Sequence, residues 1–584
     1  MIDKETLPKG WSIAKIGEVC EPSQYGYTAK AGNKGNYHFL RTTDITKAEL
    51  DWNNVPFCEI SDEEAQKYLL KDNDVVISRA GSIGYSYLIS KARKSVFASY
   101  LIRFRPLINP KYFRYFLDSQ QYWNAISEGS SGIAVQNVNA KTLSLIELPI
   151  APEKEQNRIV EKLDELFSEL DAGVTELQAA QIKLKHYRQS LLKSAVEGAL
   201  TQKWRDDNKN KIEETGKELL NRILIERKQR WEQQKLAEFK EKGKKPPKNW
   251  QDKYPEPIQP DTTDLPELPD GWIWASMSQI SQIQGGIQKQ PKRRPVENKY
   301  PFLRVANVYR NELRLDEIHE IELFEGELQR LALLKDDILI VEGNGSKSEI
   351  GRCAIWNNEI ENAVHQNHLI RTRPVLALSK YVALWLNSPA GMDIMSTLAA
   401  TTSGLYTLSV SKISKIPVPI PSLCEQQMIA DIIDTEFDSI DRQVEATTMG
   451  LIQSEAQRKN ILKSAFSGEI VPQNENEEPA SVLLEKIEKE REELAKQAKP
   501  KRNRQPKKKV DVMSTLLEVL TAEDRWIDAQ EAFKKCGIVD GTPIDRVEEI
   551  YAELRKLEKS GQIEIDRNGS YDQLRFIKQE VKED

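Results

Sequence analysis

Cysteine is scarce in this sequence. There are five in 584 residues, namely Cys20, Cys58, Cys353, Cys424 and Cys536. They are scattered, odd in number and contain no CxxC pair, which excludes a disulfide framework and suits a reducing compartment. Long apolar runs are missing too. None approaches the ~20 residues needed to cross a bilayer, and "MIDKETLPKG" at the start lacks the apolar stretch of a signal peptide. A cytoplasmic chain without membrane contact is expected. Neither charge sign dominates: 84 Lys and Arg face 90 Asp and Glu, a net charge of −6. Any basic face for nucleic acid must therefore be local.

Catalytic motifs are also lacking. There is no Walker A sequence and no GxGxxG, and "GNGSKSEIG" at Gly343 to Gly351 has the spacing of neither. No NPPY-type segment occurs, with which an amino-methyltransferase would hold a flipped base. "DDILIVEGN" resembles the start of a nuclease core, but Glu342-Gly343-Asn344 lacks the lysine such a core needs. His365 and His368 in "HQNH" have no carboxylate or cysteine at ligand spacing and read as a surface or base-contacting pair. The expectation is a chain with no catalytic set, no metal and no cofactor of its own.

What the sequence does contain is itself, twice. "RQSLLKSAVEGAL" at Arg188 returns as "RKNILKSAFSGEI" at Arg458, an offset of 270 residues. "LPKGWSIAKIGEV" from Leu7 answers "LPDGWIWASMSQI" from Leu268. "YHFLRTTDI" from Tyr37 answers "YPFLRVANV" from Tyr300, and "LLKDNDVVI" from Leu69 answers "LLKDDILIV" from Leu333. "SYLIRFRP" from Ser99 answers "NHLIRTRP" from Asn367. Two copies are too few for a solenoid and fit a pseudo-two-fold molecule. Each copy runs in the order globular head, long helix, charged helix. The heads look mixed α/β, with short β-rich runs such as "DVVISRAG" and "DILIVEG" between turn residues.

A helix follows each head. Leu163, Leu170, Leu177, Leu184 and Leu191 recur every seven residues. Ile433, Ile440 and Ile461 occupy the matching register, and Phe437, Val444, Leu451 and Ala465 form a neighbouring row. A sustained seven-residue apolar stripe predicts a coiled-coil seam; the alternative is an amphipathic helix packed on a head. Pro152 with Glu153 and Glu155 suits a first helical turn, and "SLCE" at Ser422 has capping-box spacing. Gly198 and Gly468 suit the exits. A helix from about 153 to 198 is ~70 Å long at ~1.5 Å per residue, and paired with its copy makes a rod that holds two heads apart.

The rest is punctuation and a tail. Residues 201–264 are Lys/Glu-rich and then turn to "KKPPKNW" and "YPEPIQP", a helix and an extended proline linker. Residues 499–509, "KPKRNRQPKKK", read as a solvated basic linker, with phosphate contact as the alternative. From 510 the chain has no counterpart in the first half. Thr542 and Pro543 open a helix with Val547, Ile550, Tyr551, Leu554 and Leu557 at helical spacing, and a hairpin turns at Asn568–Gly569. Helices ending in a hairpin suggest a winged helix. Its last helix bears Asp545, Glu548, Glu549, Glu553 and Glu558, a poor face for DNA, so a protein-docking role is expected.

The doubled "LP.GW", "FLRTTDI", "SRAGSIG", "NVNAKTLSLIELPIAPEKEQNRIVEKLD" and the doubled "R..(L/I)LKSA..G" together resemble the specificity subunit of type I restriction–modification systems, over about residues 1–505. The resemblance implies a non-catalytic chain whose two target-recognition domains each read one half of a split, asymmetric site on double-stranded DNA. It implies that the two long helices pair antiparallel, set the gap between half-sites and dock two methyltransferase subunits. Restriction subunits are further implied partners, with S-adenosylmethionine, ATP and Mg on partner subunits. The expected fold is two α/β target-recognition domains separated by a two-helix antiparallel coiled coil, with a pseudo-two-fold internal repeat and a C-terminal winged-helix-like domain. The expected boundaries are 1–150 and 265–421 for the heads, 151–200 and 422–470 for the long helices, 201–264 and 471–509 for the charged helices with their linkers, and 510–584 for the tail. A structural adaptor with protein-binding heads is the competing reading.

The two heads share a frame but differ in loops, as two readers of different sequences need. "SQYGYTAKAGNKGN" stands where the second head has "QGGIQKQPKRRPVENK". "RAGSIG" stands against "EGNGSKSEIG", and "SSGIAVQNVN" against "TTSGLYTLSV". Arg and Lys can pair with guanine, and Asn and Gln with adenine. The candidate DNA contacts of the first head are Tyr25, Tyr27, Lys30, Lys34, Arg41, Thr42, Thr43, Arg79, Ser82, Gln136 and Asn137. Those of the second are Gln288, Lys289, Lys292, Arg293, Arg294, Arg304, Asn307, Asn344, Ser346, Lys347, Thr402 and Tyr406. Lys289, Lys292, Arg293 and Arg294 form a local basic patch suited to phosphates.

Overall fold

A computed structural model describes residues 7–46, 50–129, 138–344, 349–400, 406–497, 515–523, 525–539, 542, 544–566 and 572–577. The chain divides into two compact units, Met1–Glu488 and Lys489–Asp584.

The first unit holds both heads and both long helices. The first head begins with β1 (Ser12–Lys15) and continues through β2 (Gln24–Tyr25), β3 (Tyr37–Leu40), β4 (Phe57–Cys58), β5 (Val75–Ser78), β6 (Ser86–Leu88), β7 (Ser95–Phe97) and β8 (Leu101–Phe104) to β9 (Glu147–Ile150). A sheet in the order β2-β8-β5-β6 lies beside one in the order β4-β3-β7, and β1 pairs with β9. The second head repeats this with β10 (Ile273–Ser276), β11 (Ser281–Gly285), β12 (Lys299–Leu303), β13 (His319–Glu322) and β14 (Asp337–Val341), followed by β15 (Gly343–Asn344), β16 (Cys353–Trp356), β17 (Val364–His365), β18 (Leu369–Pro374), β19 (Tyr406–Thr407) and β20 (Pro417–Ile420). Its sheets are β11-β18-β14-β16, β13-β12-β17 and β10-β20, with β15 and β19 added as a short pair.

Polar contacts repeat with the strands. Arg105 donates to Asp74 at 2.7 Å in the first head, and Arg373 donates to Asp337 at 2.6 Å in the second. The Tyr112 hydroxyl donates to the Pro149 carbonyl at 2.9 Å, and Tyr381 donates to that of Pro419 at 2.8 Å. These side chains bind the frame together, which accounts for their recurrence in both copies.

The long helices are Glu153–Val196 and Leu423–Phe466, 44 residues each. They pack antiparallel, since Asp171 meets Arg458, Gln181 meets Thr448 and Arg188 meets Asp441. Arg188 reaches Asp441 at 2.5 Å and lies 4.3 Å from the centre of the Phe437 ring. Its counterpart Arg458 bonds Asp171 and lies 4.4 Å from the centre of Phe167. The repeated arginine of each "LKSA" motif therefore clamps the opposite helix at a symmetry-related place.

Burial along this pair is uneven. Leu163, Leu191, Ile433, Ile440 and Ala465 are buried, whereas Leu170, Leu177, Leu184, Phe437, Leu451 and Ile461 are half-covered. Val444 departs from the predicted row and is 37% exposed. A helix of ~3.6 residues per turn drifts about 20° per heptad against a seven-residue row, and two helices alone leave solvent on both flanks. At mid-rod Gly450 lets the helices close, its Cβ position lying 3.1 Å from Leu177 Cδ1.

Each helix ends on the other copy's head. Gly198 and Gly468 hold φ of 73° and 78°, the left-handed region that glycine enters without strain. Gly468 sits against Pro8 and Trp11 of the first head, and Gly198 against Pro269 and Trp272 of the second. Trp11 donates its indole N–H to Glu155 at 3.1 Å, as Trp272 does to Glu425 at 3.0 Å. Glu155 also accepts from Gln473 at 2.7 Å, and Glu425 from Thr201 at 2.7 Å and Arg205 at 3.2 Å. Burial pushes the Glu155 carboxyl up, opposed by the bonds from Trp11 and Gln473.

The second unit carries helices Leu516–Glu523, Ala529–Lys535 and Ile544–Lys559, with β21 (Ile527–Asp528), β22 (Ile563–Asp566) and β23 (Gln573–Phe576) in the order β21-β23-β22. Leu516, Leu520, Ala532, Ile550 and Leu574 form its core. Glu553, expected on an outward acidic face, instead accepts from the Leu516 and Leu517 amides at 3.2 Å each, capping the helix Leu516–Glu523. The basic run 499–509 and the Asn568–Gly569 turn lie outside the described residues.

Gly468→Ala places a Cβ 2.2 Å from Pro8 Cγ at positive φ and is expected to lower stability by about 1–3 kcal/mol. Gly173→Ala, in the first long helix with nothing within 4 Å, is expected to raise it by about 0.5–1 kcal/mol. Urea midpoints measure both. A neutral Gly468→Ala would mean that the helix exit is not seated on the first head.

Candidate nucleic-acid interface

In each head three loops meet where the central strands end. In the first head Arg79, the residue after β5, donates its amide to the Tyr100 carbonyl at 2.9 Å and accepts from the Val138 amide at 2.9 Å. Its guanidinium lies 4.9 Å from the centre of the Tyr25 ring, and the Tyr25 hydroxyl accepts from the Ala140 amide at 3.0 Å. Tyr25 and Arg79 are thus brought together from distant loops. In the second head Glu342 follows β14 in the same way. Its amide donates to the His368 carbonyl at 2.9 Å and its carbonyl accepts from the Leu408 amide at 2.6 Å. Tyr406 pairs with Asn344 across β15 and β19.

The other candidates divide by what already holds them. Lys30, Lys34, Thr43, Ser82, Gln288, Lys289, Lys292 and Arg294 are exposed, and Thr42 is half-covered. The Tyr27 ring packs 5.3 Å from that of Tyr68. Arg41 donates twice to Asp44, at 3.0 and 2.9 Å, in the first turn of a short helix. In the matching turn Arg304 pairs with Glu317 at 3.1 Å, and Asn307 replaces the aspartate.

Three expectations are corrected. Asn307 is buried, and its amide donates to the Arg314 and Glu317 carbonyls at 2.8 and 3.0 Å, so it braces a loop instead of facing a base. Arg293, expected in the basic patch, donates through both terminal nitrogens to Glu327 at 2.7 and 2.8 Å and stacks on Phe324. That pairing holds the Glu327 carboxyl down at about 2. An aligned bidentate pair of this kind is strong, so Arg293 fastens the loop while Lys289 and Arg294 remain outward around a cleft of about 910 Å³. His365 is fully buried with Nδ1 donating to the Leu369 carbonyl at 2.8 Å, and so does not form a surface pair with His368. Gln136, Asn137, Ser346, Lys347 and Thr402 lie outside the described residues.

Sequence reasoning missed Tyr100, which is 63% exposed, and Glu342 as a site residue. The signal was present: "SYLI" and "NHLI" occupy one slot of a matched frame, and their second residues differ. Among the described residues no group of three His, Cys, Asp or Glu side chains could hold a metal ion, and no helix is long and apolar enough to cross a membrane.

A family model described as the type I restriction modification DNA specificity domain matches residues 8–179 and again 269–447, more than half of the chain. The chain belongs to that family. It is 27% identical to the type I restriction enzyme EcoKI specificity subunit of Escherichia coli strain K12, over 83% of this chain and 96% of that protein. It is 25% identical to the StySPI specificity subunit of Salmonella potsdam, over 84% and 97%. A structure solved in work on complex assembly and conformational transition of the type I R-M system shares the fold, with a TM-score of 0.54 at 15% identity over 79% of this chain and 99% of that one. The two family matches cover the two heads and the first part of each long helix, and the repeated stretches at Arg188 and Arg458 lie beyond them.

Burial lowers the His365 imidazole to about 4, from an ordinary value of about 6.5. The unfolded chain takes up this proton first as pH falls. Stability from the neutral ring is therefore complete above about pH 6.5, declines between about 6.5 and 4, and is level below, a total on the order of 3 kcal/mol. His365→Phe is expected to lack that contribution and so to show a shallower decline between about pH 6.5 and 4. Denaturant titrations across pH 4–7 give the comparison, and parallel slopes would refute the assignment.

Proposed function

We propose that this specificity subunit reads a bipartite, asymmetric DNA site, one half with each head, and that its paired helices form a coiled coil which sets the unread spacer. The observation that carries this is the pairing of one frame with two loop sets. Strand order, half-buried Arg–Asp pairs and capping turns repeat between heads, while the residues held at the loop junction do not. Identical frames with different tips are what two readers of different half-sites require.

The rod is also the proposed seat of two methyltransferase subunits. Ile182 and Ile452, equivalent in the two copies, stand 59% and 56% exposed on it. Exposed apolar side chains repeated by an internal two-fold suit two copies of one partner. Methyl transfer and cleavage belong to partner subunits in this reading, and S-adenosylmethionine, ATP and Mg would be held there. Restriction subunits complete the assembly. The tail, with its described helices and three-stranded sheet, is proposed to be a winged helix that docks protein, since Glu548, Glu549 and Glu558 lie exposed on its last helix.

The test is a head exchange. Replacing 265–421 with another family member's head, in cells that supply the methyltransferase, is expected to alter one half of the methylated motif. Alteration of both halves would end the modular reading. A second measurement separates phosphate binding from loop bracing. Lys289→Ala with Arg294→Ala is expected to reduce the slope of log affinity against log salt by ~0.9 for each phosphate left without its cation, with the motif unchanged. Arg293→Ala is expected to show as lower stability of the second head, in urea or thermal melts, through its broken pair with Glu327.

A further inference from the structure

The two heads hold one residue in the same backbone clamp and give it opposite charge. Arg79 and Glu342 both follow the central strand. Both donate their amide to the residue before the neighbouring strand, Tyr100 or His368, and both accept from the third loop, at Val138 or Leu408. With both backbone groups bonded in the same way, the Cα–Cβ direction at this position is held alike in the two heads. Beneath it the frame is unchanged. Arg103 donates to Gln24 and to the Leu69 carbonyl, as Arg371 does to Gln284 and the Ala332 carbonyl. The first head lays its arginine over Tyr25. In the second head the residue after Gln284 is Gly285, which offers no ring. There Glu342 turns to His368, whose Nδ1 donates to Oε2 at 3.0 Å.

We propose that Glu342, oriented by His368, is a specificity-determining residue of the second head and accepts from the exocyclic amino group of a cytosine in the major groove. This rests on the reading of the heads as DNA readers. A carboxylate is an acceptor only, and with about four lone-pair sites it can take a base donor while bonded to His368. The major groove offers two amino donors, cytosine N4 and adenine N6. Adenine also presents N7, an acceptor that repels a carboxylate placed for N6, whereas cytosine presents the donor alone. Guanine and thymine present acceptors at O6, N7 and O4 and are rejected outright. His368 is a positioning residue: its N–H holds the carboxylate plane and so reduces the entropy cost of binding.

Glutamine has the same length but adds a donor, and an amide can bond adenine at N6 and N7 together. The complex of the full chain with its methyltransferase, as wild type and as Glu342→Gln, is titrated with duplexes carrying the methylated motif and every single-base change in the second half-site. The wild type is expected to bind ~10–100-fold more weakly when one particular cytosine is replaced. Glu342→Gln is expected to bind the adenine duplex at that position at least as well as the cytosine duplex, keeping its discrimination elsewhere. His368→Ala is expected to weaken discrimination at the same position only, and His368→Asn, which restores a donor, to recover part of it. Unchanged discrimination at all positions in Glu342→Gln would overturn the proposal. So would an even decline at all positions with an unchanged melting temperature, or a shift at a position other than a cytosine. Should Glu342→Gln fail to fold, Glu342→Asp is measured instead, and undiminished cytosine preference with the shortened side chain overturns the proposal. A wild-type complex that discriminates at no position would instead defeat the reading of the heads as DNA readers.

Discussion

Two buried carboxylates hold the first unit closed. Glu155 and Glu425 sit in the first turns of the long helices, where the free amides and helix dipole favour a negative group. Each accepts from the tryptophan at the start of its own head and from the segment that leaves the opposite helix. Three pieces of chain far apart in sequence therefore meet at one side chain, once for each head. A carboxylate taken from water costs several kcal/mol unless its lone pairs are met. The hydrogen bonds offset that cost only when all three pieces are in place. The contact thus rewards the closed arrangement and penalises any partial one. Within the first unit, the second copy's exit therefore lands on the first copy's entrance.

Much of this was legible in the sequence, and what was not has identifiable causes. The offset between "RQSLLKSA" and "RKNILKSA" gave the doubled plan. Leucines at seven-residue spacing gave the helices, observed as Glu153–Val196 and Leu423–Phe466. Gly198 and Gly468 were readable as exits because positive φ leaves few alternatives. Val444 was misplaced because a heptad row read on paper ignores the drift of a straight helix. Asn307, Arg293 and His365 were misjudged because polarity in a one-dimensional string does not reveal a partner. Glu327 lies 34 residues from Arg293, and that pairing exists only once the turns around β13 have formed. In the string alone Glu342 reads as part of a nuclease-like run, and only the backbone bonds of the folded heads set it opposite Arg79 as one member of a matched pair.

Repetition within one chain does the work that a family alignment does elsewhere. Where both copies keep a residue, as with Asp74 and Asp337 or Tyr112 and Tyr381, the side chain is buried in the frame and bonded to it. Where the backbone bonds are kept but the side chain changes, packing does not dictate the choice. Arg79 and Glu342 are such a pair, as are Tyr100 and His368. Their variation therefore lies with whatever meets the loop tips. The turn at Arg41 and Arg304 shows the opposite case. The aspartate became an asparagine, Arg304 found Glu317 instead, and the turn survived, so that substitution is absorbed inside the head.

The rod separates two properties that a single core would mix. Its ends are buried under the heads, where each covered leucine or isoleucine contributes about 1.5–3 kcal/mol. Its middle is half-wet, with Gly450 against Leu177, Gln181 on Thr448, and the Arg188 and Arg458 clamps on either side. Exposed pairs of that kind contribute about 0–1 kcal/mol each. The energy that positions a head is therefore concentrated at its own end of the rod. The centre contributes mainly length and direction. A change there alters the distance between the heads with little effect on the packing of either, so the gap between the loop clusters and the chemistry at their tips can vary independently. The antiparallel order adds a further constraint. Because each helix starts on one head and ends on the other, length added to one helix alone would pull Glu155 from Gln473 or Glu425 from Thr201, so both helices have to change together for the closed form to persist.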